Sequence, residues 1–329
     1  DVTCVTSGET PLYAFTGGAD GSYPDSGLTE GPDGNLYGTT IRGGANDVGT
    51  VYRLSPQGAH TVIHSFTTSP ADGQNPASGL ELADDGAFYA TTTAGGTFGQ
   101  GTFFRITTSG QVTTLFAFGA PGIGAKPQGI TLMPDGNFYG TTSYGGAHNL
   151  GTVYRITPNG IHTVLHSFAP GGDARIPVAG LSPYAVDGML YGVTHYGGSK
   201  NLGAIFRIAT DGGNYAVVHS FAGGTTDGQF PGNKLRQAPD GYLYGTTGSG
   251  GAAGLGTVFR FSPATGASVV HSFTGAPNDG SVPSSRLRLG DDGNLYGVTF
   301  YGGRFDYGAF FRLATTGEYR LLYSFSGGA

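Results

Sequence analysis

The chain has 329 residues, with 63 glycines, 18 prolines, no tryptophan, 12% charged and 12% aromatic residues, and a formal net charge of −6. An interior glycine costs a helix about 1 kcal/mol relative to alanine, so such a chain is not helix-rich. The aromatic content excludes disorder, and the missing three-residue glycine period excludes collagen, which leaves an all-β protein with many tight turns.

The acidic balance, without a run of five like charges, argues against nucleic acid or an anionic membrane as partner. No apolar stretch is long enough to span a bilayer. The chain starts at Asp1 with neither a charged n-region nor an apolar h-region, which reads as a mature form whose targeting segment lies outside this sequence. Cys4 is the only cysteine, so an intrachain disulfide and a thiolate zinc site are both ruled out.

Comparison of the chain with itself finds one pattern six times, the first check for a repeat architecture. Its clearest copies are DGNLYGTTIRGGANDVGTVYR (33–53), DGNFYGTTSYGGAHNLGTVYR (135–155) and DGYLYGTTGSGGAAGLGTVFR (240–260). The tyrosines Tyr37, Tyr89, Tyr139, Tyr191, Tyr244 and Tyr296 recur every 50 to 53 residues. That spacing leaves no room for a second domain, and the six repeats divide as 16–66, 67–118, 119–168, 169–221, 222–273 and 274–325.

In chain order each repeat offers four strands. A loop with a recurring proline (Pro24, Pro76, Pro127, Pro177, Pro231, Pro283) leads to the first, such as Gly79 to Ala83. An Asp-Gly turn, read as a two-residue hairpin, leads to the second, a Gly-Gly loop to the third, and a further turn to the fourth, which ends in phenylalanine as in HTVIHSF. Four-stranded antiparallel units of about 50 residues predict an all-β, six-bladed β-propeller in a single domain. The fourth-strand pattern occurs a seventh time at 10–15, an extra N-terminal strand that either joins the last blade or lies outside the ring.

The DGxLYGTTxxGGxxxxGTVFR string resembles the Gloeo/Verruco tandem repeat and covers essentially the whole chain. The resemblance implies a bacterial exported propeller, secreted, periplasmic or on the cell surface, and brings no catalytic residues. GITLMPDGNFYGTT and GTVYRITPNG are more distantly similar to streptogramin-lyase-like propellers, whose usual tryptophan is absent here, so no site is carried across.

Residues repeated in every unit belong to the scaffold. The third-strand arginines (Arg53, Arg105, Arg155, Arg207, Arg260, Arg312) are expected to pack and hydrogen-bond between blades beside the tyrosines. The histidines of the HSF motif (His64, His166, His219, His271) lie in separate outer strands, too far apart to share a metal. Asp20, Asp72, Asp173, Asp227 and Asp279 are expected to cap loop amides, with structural calcium as the alternative. No metal site and no cofactor is otherwise expected.

Function is sought where one copy departs from the others, in the Gly-Gly and proline loops. Those loops are loaded in units three, four and six and small in two and five. Of the ten Lys and Arg outside the repeated arginines, nine fall on this face or on first strands: Arg42, Lys126, Arg175, Lys200, Lys234, Arg236, Arg286, Arg288 and Arg304. Lys234, Arg236, Arg286 and Arg288 lie in adjacent first strands, where alternation turns them toward the channel. Wet channel mouths also tolerate such charge. The sharper reading is an anion site focused in a concave funnel.

An acidic polysaccharide cut by β-elimination suits this set, which would need a base, an acid and a cation for the uronate carboxylate. His195 with Tyr196 or Tyr144 supplies base and acid, and Arg304, Arg175 or Lys200 the cation; Arg42, Lys126, His148, Lys234, Arg236, Arg286, Arg288, Tyr301 and Asp306 bind substrate. Hydrolysis through Asp306 and Asp47, a non-catalytic lectin and a structural module are the alternatives. The protein is expected to act as a monomer. Glycine-rich segments that follow hairpins and open no helix argue against a nucleotide.

Overall fold

A computed structural model describes residues 11–24, 26–76, 78–283 and 285–327. The fold is all-β, a six-bladed propeller of antiparallel four-stranded blades. The blades span 29–65, 73–117, 124–167, 174–220, 228–272 and 280–324. They group into two compact units, residues 1–167 with blades one to three and 168–329 with blades four to six. No helix among the described residues is long and apolar enough to cross a membrane.

Blade five shows the plan. Its second strand (Leu243–Gly250) pairs with the third (Thr257–Ser262), and that with the outer strand (Gly266–Ser272). The innermost strand comes in two pieces, Gly228–Pro231 and Arg236–Gln237, both paired to the second. Sequence had placed only the second piece. The first was hidden because the residue before its proline is not extended: Tyr23, Asn75, Lys126, Ile176, Phe230 and Val282 all sit at φ between 52° and 59°. A β-branched residue there is strained, and a following proline disfavours helical values further. The strain is held by a hydrogen bond to the preceding blade, from Asn75 N to Val48 O, Lys126 N to Gln100 O, Phe230 N to Leu202 O and Val282 N to Leu255 O, at 2.8 to 2.9 Å.

The Asp-Gly turns are one residue longer than expected, and two longer in blade four, where Tyr184 N bonds to Met189 O. In blade one Gly34 N bonds to Gly31 O and Gly31 N to Asn35 O, and only Gly34 has positive φ, at 73°. That is a type I turn closed by a glycine bulge rather than a two-residue turn. The tyrosine and aspartate of each repeat clamp it: the Tyr37, Tyr89, Tyr139, Tyr191, Tyr244 and Tyr296 hydroxyls donate to Asp33, Asp85, Asp135, Asp187, Asp240 and Asp292 at 2.6 to 3.1 Å. Each recurring arginine stands opposite that tyrosine within the same blade, as Tyr244 faces Arg260. The arginines therefore brace their own blade, with Arg105 Nε 2.9 Å from Asp85, instead of bridging to the next.

Core residues alternate as the strand period requires. Leu235 and Leu287, just before the second pieces of the innermost strands, are buried between blades four and five and between five and six, with Phe259, Phe261 and Phe311. Every third-to-outer pairing carries a bulge, between Val51 and Tyr52 in blade one and at the matching place in the other five, which adds right-handed twist. In the first unit the bulge carbonyl meets the next blade's turn, where Gly110 approaches Ile63 O and Gly160 approaches Leu115 O so closely that a Cβ would stand 2.1 and 2.3 Å away.

Residues 11–15 form no strand. They lie against blade one as an outer strand lies against the next blade, with Leu12 O over Gly58 and Tyr13 stacked on His60 at 4.1 Å. Residue 10 and Cys4 fall outside the described residues.

Candidate functional site

Two loops meet at one end of every blade. The second glycine of each Gly-Gly pair donates to the proline loop, as Gly96 N to Asp72 O, Gly198 N to Asp173 O, Gly251 N to Asp227 O and Gly303 N to Asp279 O. The proline-loop aspartates cap it as expected: Asp72 accepts from Thr67 N and Gly73 N, and Asp279 from Thr274 N and Gly280 N. Outer-strand histidines complete the cap, His64 to Asp72 at 3.5 Å, His219 to Asp227 at 3.4 Å and His271 to Asp279 at 3.0 Å. These groups are used by the scaffold, and no cluster of metal-ligating side chains occurs among the described residues.

One loop position holds both carboxylates of the hydrolase alternative. Asp47, Gly99, Asn149, Asn201, Gly254 and Asp306 are equivalent, and all have φ between 55° and 75°. Such a position selects Gly, Asn or Asp. The Asp47, Asn149 and Asp306 side chains each accept the amide of the first loop glycine, at 2.7 to 2.9 Å. Asp47 and Asp306 thus look unique in sequence but do the work of an asparagine.

In blade four, His195 is half-buried and stacks on Phe230 of blade five, centroids 5.1 Å apart, with Tyr196 edge-on at 4.8 Å. Burial lowers the His195 pKa, and its hydrogen bond to the Pro231 carbonyl pushes the other way without reversing it. That bond leaves the second ring nitrogen with its lone pair. Arg175 lies opposite Tyr196 across the strand pair and donates from Nε to Asn201 Oδ1 at 3.0 Å, while Lys200 is exposed in the same loop.

Blade six carries the other loaded loop. Phe300, Tyr301, Phe305 and Tyr307 are 50 to 63% exposed, and the Arg304 guanidinium lies 5.5 Å from the Phe305 ring. The same loop in blade five presents Gly248, Ser249, Ala252, Ala253 and Gly254, so two high loops flank a low one. Arg304 is on blade six and His195 on blade four, which leaves Arg175 and Lys200 as the cations of the His195 loop.

Between the two pieces of the innermost strand, Lys234 and Arg286 take a position that is Gly27, Gly79, Gly129 and Gly180 in blades one to four. Arg236 and Arg288 take one where Thr29 and Ser182 donate to the next blade's leucine carbonyl at 2.7 Å. The cations flank buried Leu235 and Leu287; Arg236 and Arg288 are in strands, whereas Lys234 and Arg286 lie in the links before them rather than in the expected strands.

The first unit holds the remaining candidates. Arg42 pairs with Asp47 at 3.8 Å, Lys126 Nζ lies 5.3 Å from the Tyr144 ring centroid, and His148 is exposed. Tyr144 is therefore on a different unit from His195.

Sequence reasoning underrated the aromatics. Among the described residues every large exposed aromatic (Tyr23, Phe98, Tyr144, Tyr196, Phe300, Tyr301, Phe305, Tyr307) lies at this loop end of its blade, and the other large exposed apolar side chains are aliphatic. The signal was present as aromatics in glycine-rich loops with no partner in the repeat.

The sequence matches the Gloeobacter/Verrucomicrobia repeat over residues 1–185 and 181–329. No curated protein matches it. Similar solved structures include virginiamycin B lyase from Staphylococcus aureus, 16% identical, TM-score 0.61, covering 92% of this chain and 86% of that one. A gluconolactonase from Xanthomonas campestris is 16% identical, TM-score 0.51, with 86% and 85% covered. At such identities the likeness is one of fold.

Proposed function

The chain belongs to the Gloeobacter/Verrucomicrobia repeat family, and within that scaffold we propose that it is an exported, monomeric protein whose second unit binds acidic carbohydrate on the loops of blades four and six. The reading rests on one observation: five exposed aromatics, Tyr196, Phe300, Tyr301, Phe305 and Tyr307, stand in loops that also carry Arg175, Lys200 and Arg304. Aromatic faces stack on the C–H faces of sugars, and arginine matches a carboxylate or sulfate with paired donors. The low loop of blade five gives an extended chain room to lie between them.

His195 supports a second reading, cleavage by β-elimination. A neutral imidazole nitrogen takes the proton α to the uronate carboxylate while Arg175 or Lys200 offsets the charge on that carboxylate. The bond to the leaving oxygen breaks as the ring double bond forms, and Tyr196 protonates the departing oxygen. The virginiamycin B enzyme, named a lyase, shares the fold, and a gluconolactonase also does, so fold does not choose the chemistry.

Polygalacturonate, alginate and chondroitin sulfate should bind the protein in affinity electrophoresis while starch does not, and raised salt should weaken the interaction. Uniform binding to neutral and acidic glycans removes the proposal. Ultraviolet absorbance of a new unsaturated uronate, abolished by His195→Gln with binding retained, supports the lyase; binding without such a product leaves a lectin.

A further inference from the structure

One joint between blades departs from the others in a coordinated way. Phe116 and Ile123 stand where His64 and Asp72, His219 and Asp227, and His271 and Asp279 form charged caps. Both are packed against the apolar core of blades two and three. The proline loop of this joint has no carboxylate cap and closes by a type II turn alone, Ala120-Pro121-Gly122-Ile123, with Ile123 N bonded to Ala120 O at 3.0 Å and Gly122 at φ 78°. Gly119 brings this loop against blade two, where a Cβ would lie 2.7 Å from Gln100 and 2.9 Å from Phe98.

The same joint has Lys126 before its proline, where the other five have Tyr23, Asn75, Ile176, Phe230 and Val282. Two independent changes therefore act in one direction: a carboxylate is lost and an ammonium is gained. Between the loops lies a cleft of about 540 Å³ lined by Gln100, Pro121, Lys126, Tyr144 and Asn149, with no acidic side chain. That is the size of a small-ligand site, roughly 300 to 1,000 Å³. Tyr144 is 40% exposed beneath the Lys126 ammonium, Phe98 stands exposed at the blade-two edge, and Asn149 has its Oδ1 committed to Gly145 N, which leaves its NH₂ to donate.

We propose that this cleft is a second ligand site, selective for a single sugar ring bearing a carboxylate, with Tyr144 as the stacking surface and Lys126 as the anion partner. It shares the ligand chemistry proposed for blades four and six but stands on a different unit, so each chain carries two sites.

Titration calorimetry with glucuronate, and with glucose as the neutral control, tests it. Glucuronate should bind and glucose should not. Lys126→Ala should weaken this site by on the order of tenfold, as loss of a charge-assisted contact does. Phe116→His with Ile123→Asp, which restores the cap used at other joints and so should keep the fold, should abolish it. Tyr301→Ala with Arg304→Ala, in the second unit, should leave it intact. Equal binding of glucose, no binding of glucuronate, or glucuronate binding insensitive to both first-unit variants overturns the proposal. Loss of polymer binding in the second-unit pair bears only on the site of blades four and six.

Discussion

Pro231 of blade five stands over Gly203 of blade four so closely that a Cβ on Gly203 would lie 2.5 Å from the proline Cδ. Gly49 meets Pro76, Gly101 meets Pro127 and Gly256 meets Pro283 in the same way, at 2.6 to 2.7 Å. The last glycine of the GGxxxxG string and the recurring proline are therefore two halves of one contact between blades, although 26 to 28 positions separate them in sequence.

From this contact follows a contrast between two glycines. Gly203 has φ 102° and the proline above it, whereas Gly254 has φ 75° and open space around it. Gly203→Ala should cost about 3 kcal/mol of unfolding free energy, combining steric overlap and backbone strain. Gly254→Asn should fall within about 0.5 kcal/mol of the parent, since Asn149 and Asn201 hold that conformation elsewhere. Urea denaturation of both variants measures this, and equal destabilisation would refute it.

Tyr139 and Asp135 report on the clamp at the Asp-Gly turn. Burial, then the bond to Asp135, pushes the tyrosine pKa up to about 12. Burial raises Asp135, but the bonds from Asn137 and Tyr139 outweigh it and leave its pKa lowered. A carboxyl with a depressed folded pKa stabilises the fold above its unfolded pKa, and that contribution is lost as pH falls through the folded value. Tyr139→Phe should raise the Asp135 pKa and cost about 2 kcal/mol near neutral pH, the usual worth of a hydrogen bond to a charged group. Carbon-detected NMR titration of Asp135 provides the readout.

Acid sensitivity should begin with His162. It stacks on Phe116 at 4.6 Å, its Nε2 is buried without a partner, and burial lowers its pKa to about 4. The unfolded chain protonates this histidine first, so stability falls as pH drops from about 6.5 to about 4 and the effect levels off below. A shift of this size corresponds to about 3 kcal/mol. His162→Phe should flatten the melting temperature over that window; an unchanged pH profile would remove His162 as the cause.

At the loop end of the second unit, Tyr301→Ala or Phe305→Ala should weaken acidic-glycan binding by on the order of tenfold each without lowering the melting temperature, because both side chains are exposed. Arg175→Ala should weaken binding and leave Asn201 Oδ1 with the Gly197 N–H as its remaining donor, while Arg175→Lys should restore only part of it, since lysine lacks the paired donors. Unaltered binding in the aromatic variants places the glycan elsewhere.

The six-fold repeat, its four strands and the scaffold status of tyrosine, histidine and arginine were legible in the order of residues, because each blade reuses one local pattern and the period survives substitution. The loop end could be found too, since variation is concentrated there. Partners across blades were not. Nothing local distinguishes Asp306 from a catalytic carboxylate until its φ of 61° and its bond to Gly302 N are seen. Nor does Phe116 announce that it replaces a histidine until Ile123 is found in the aspartate's place beside it. Periodicity is written along the chain, whereas charge compensation, left-handed backbone and the close approach of Gly203 to Pro231 arise only when separate blades come into contact.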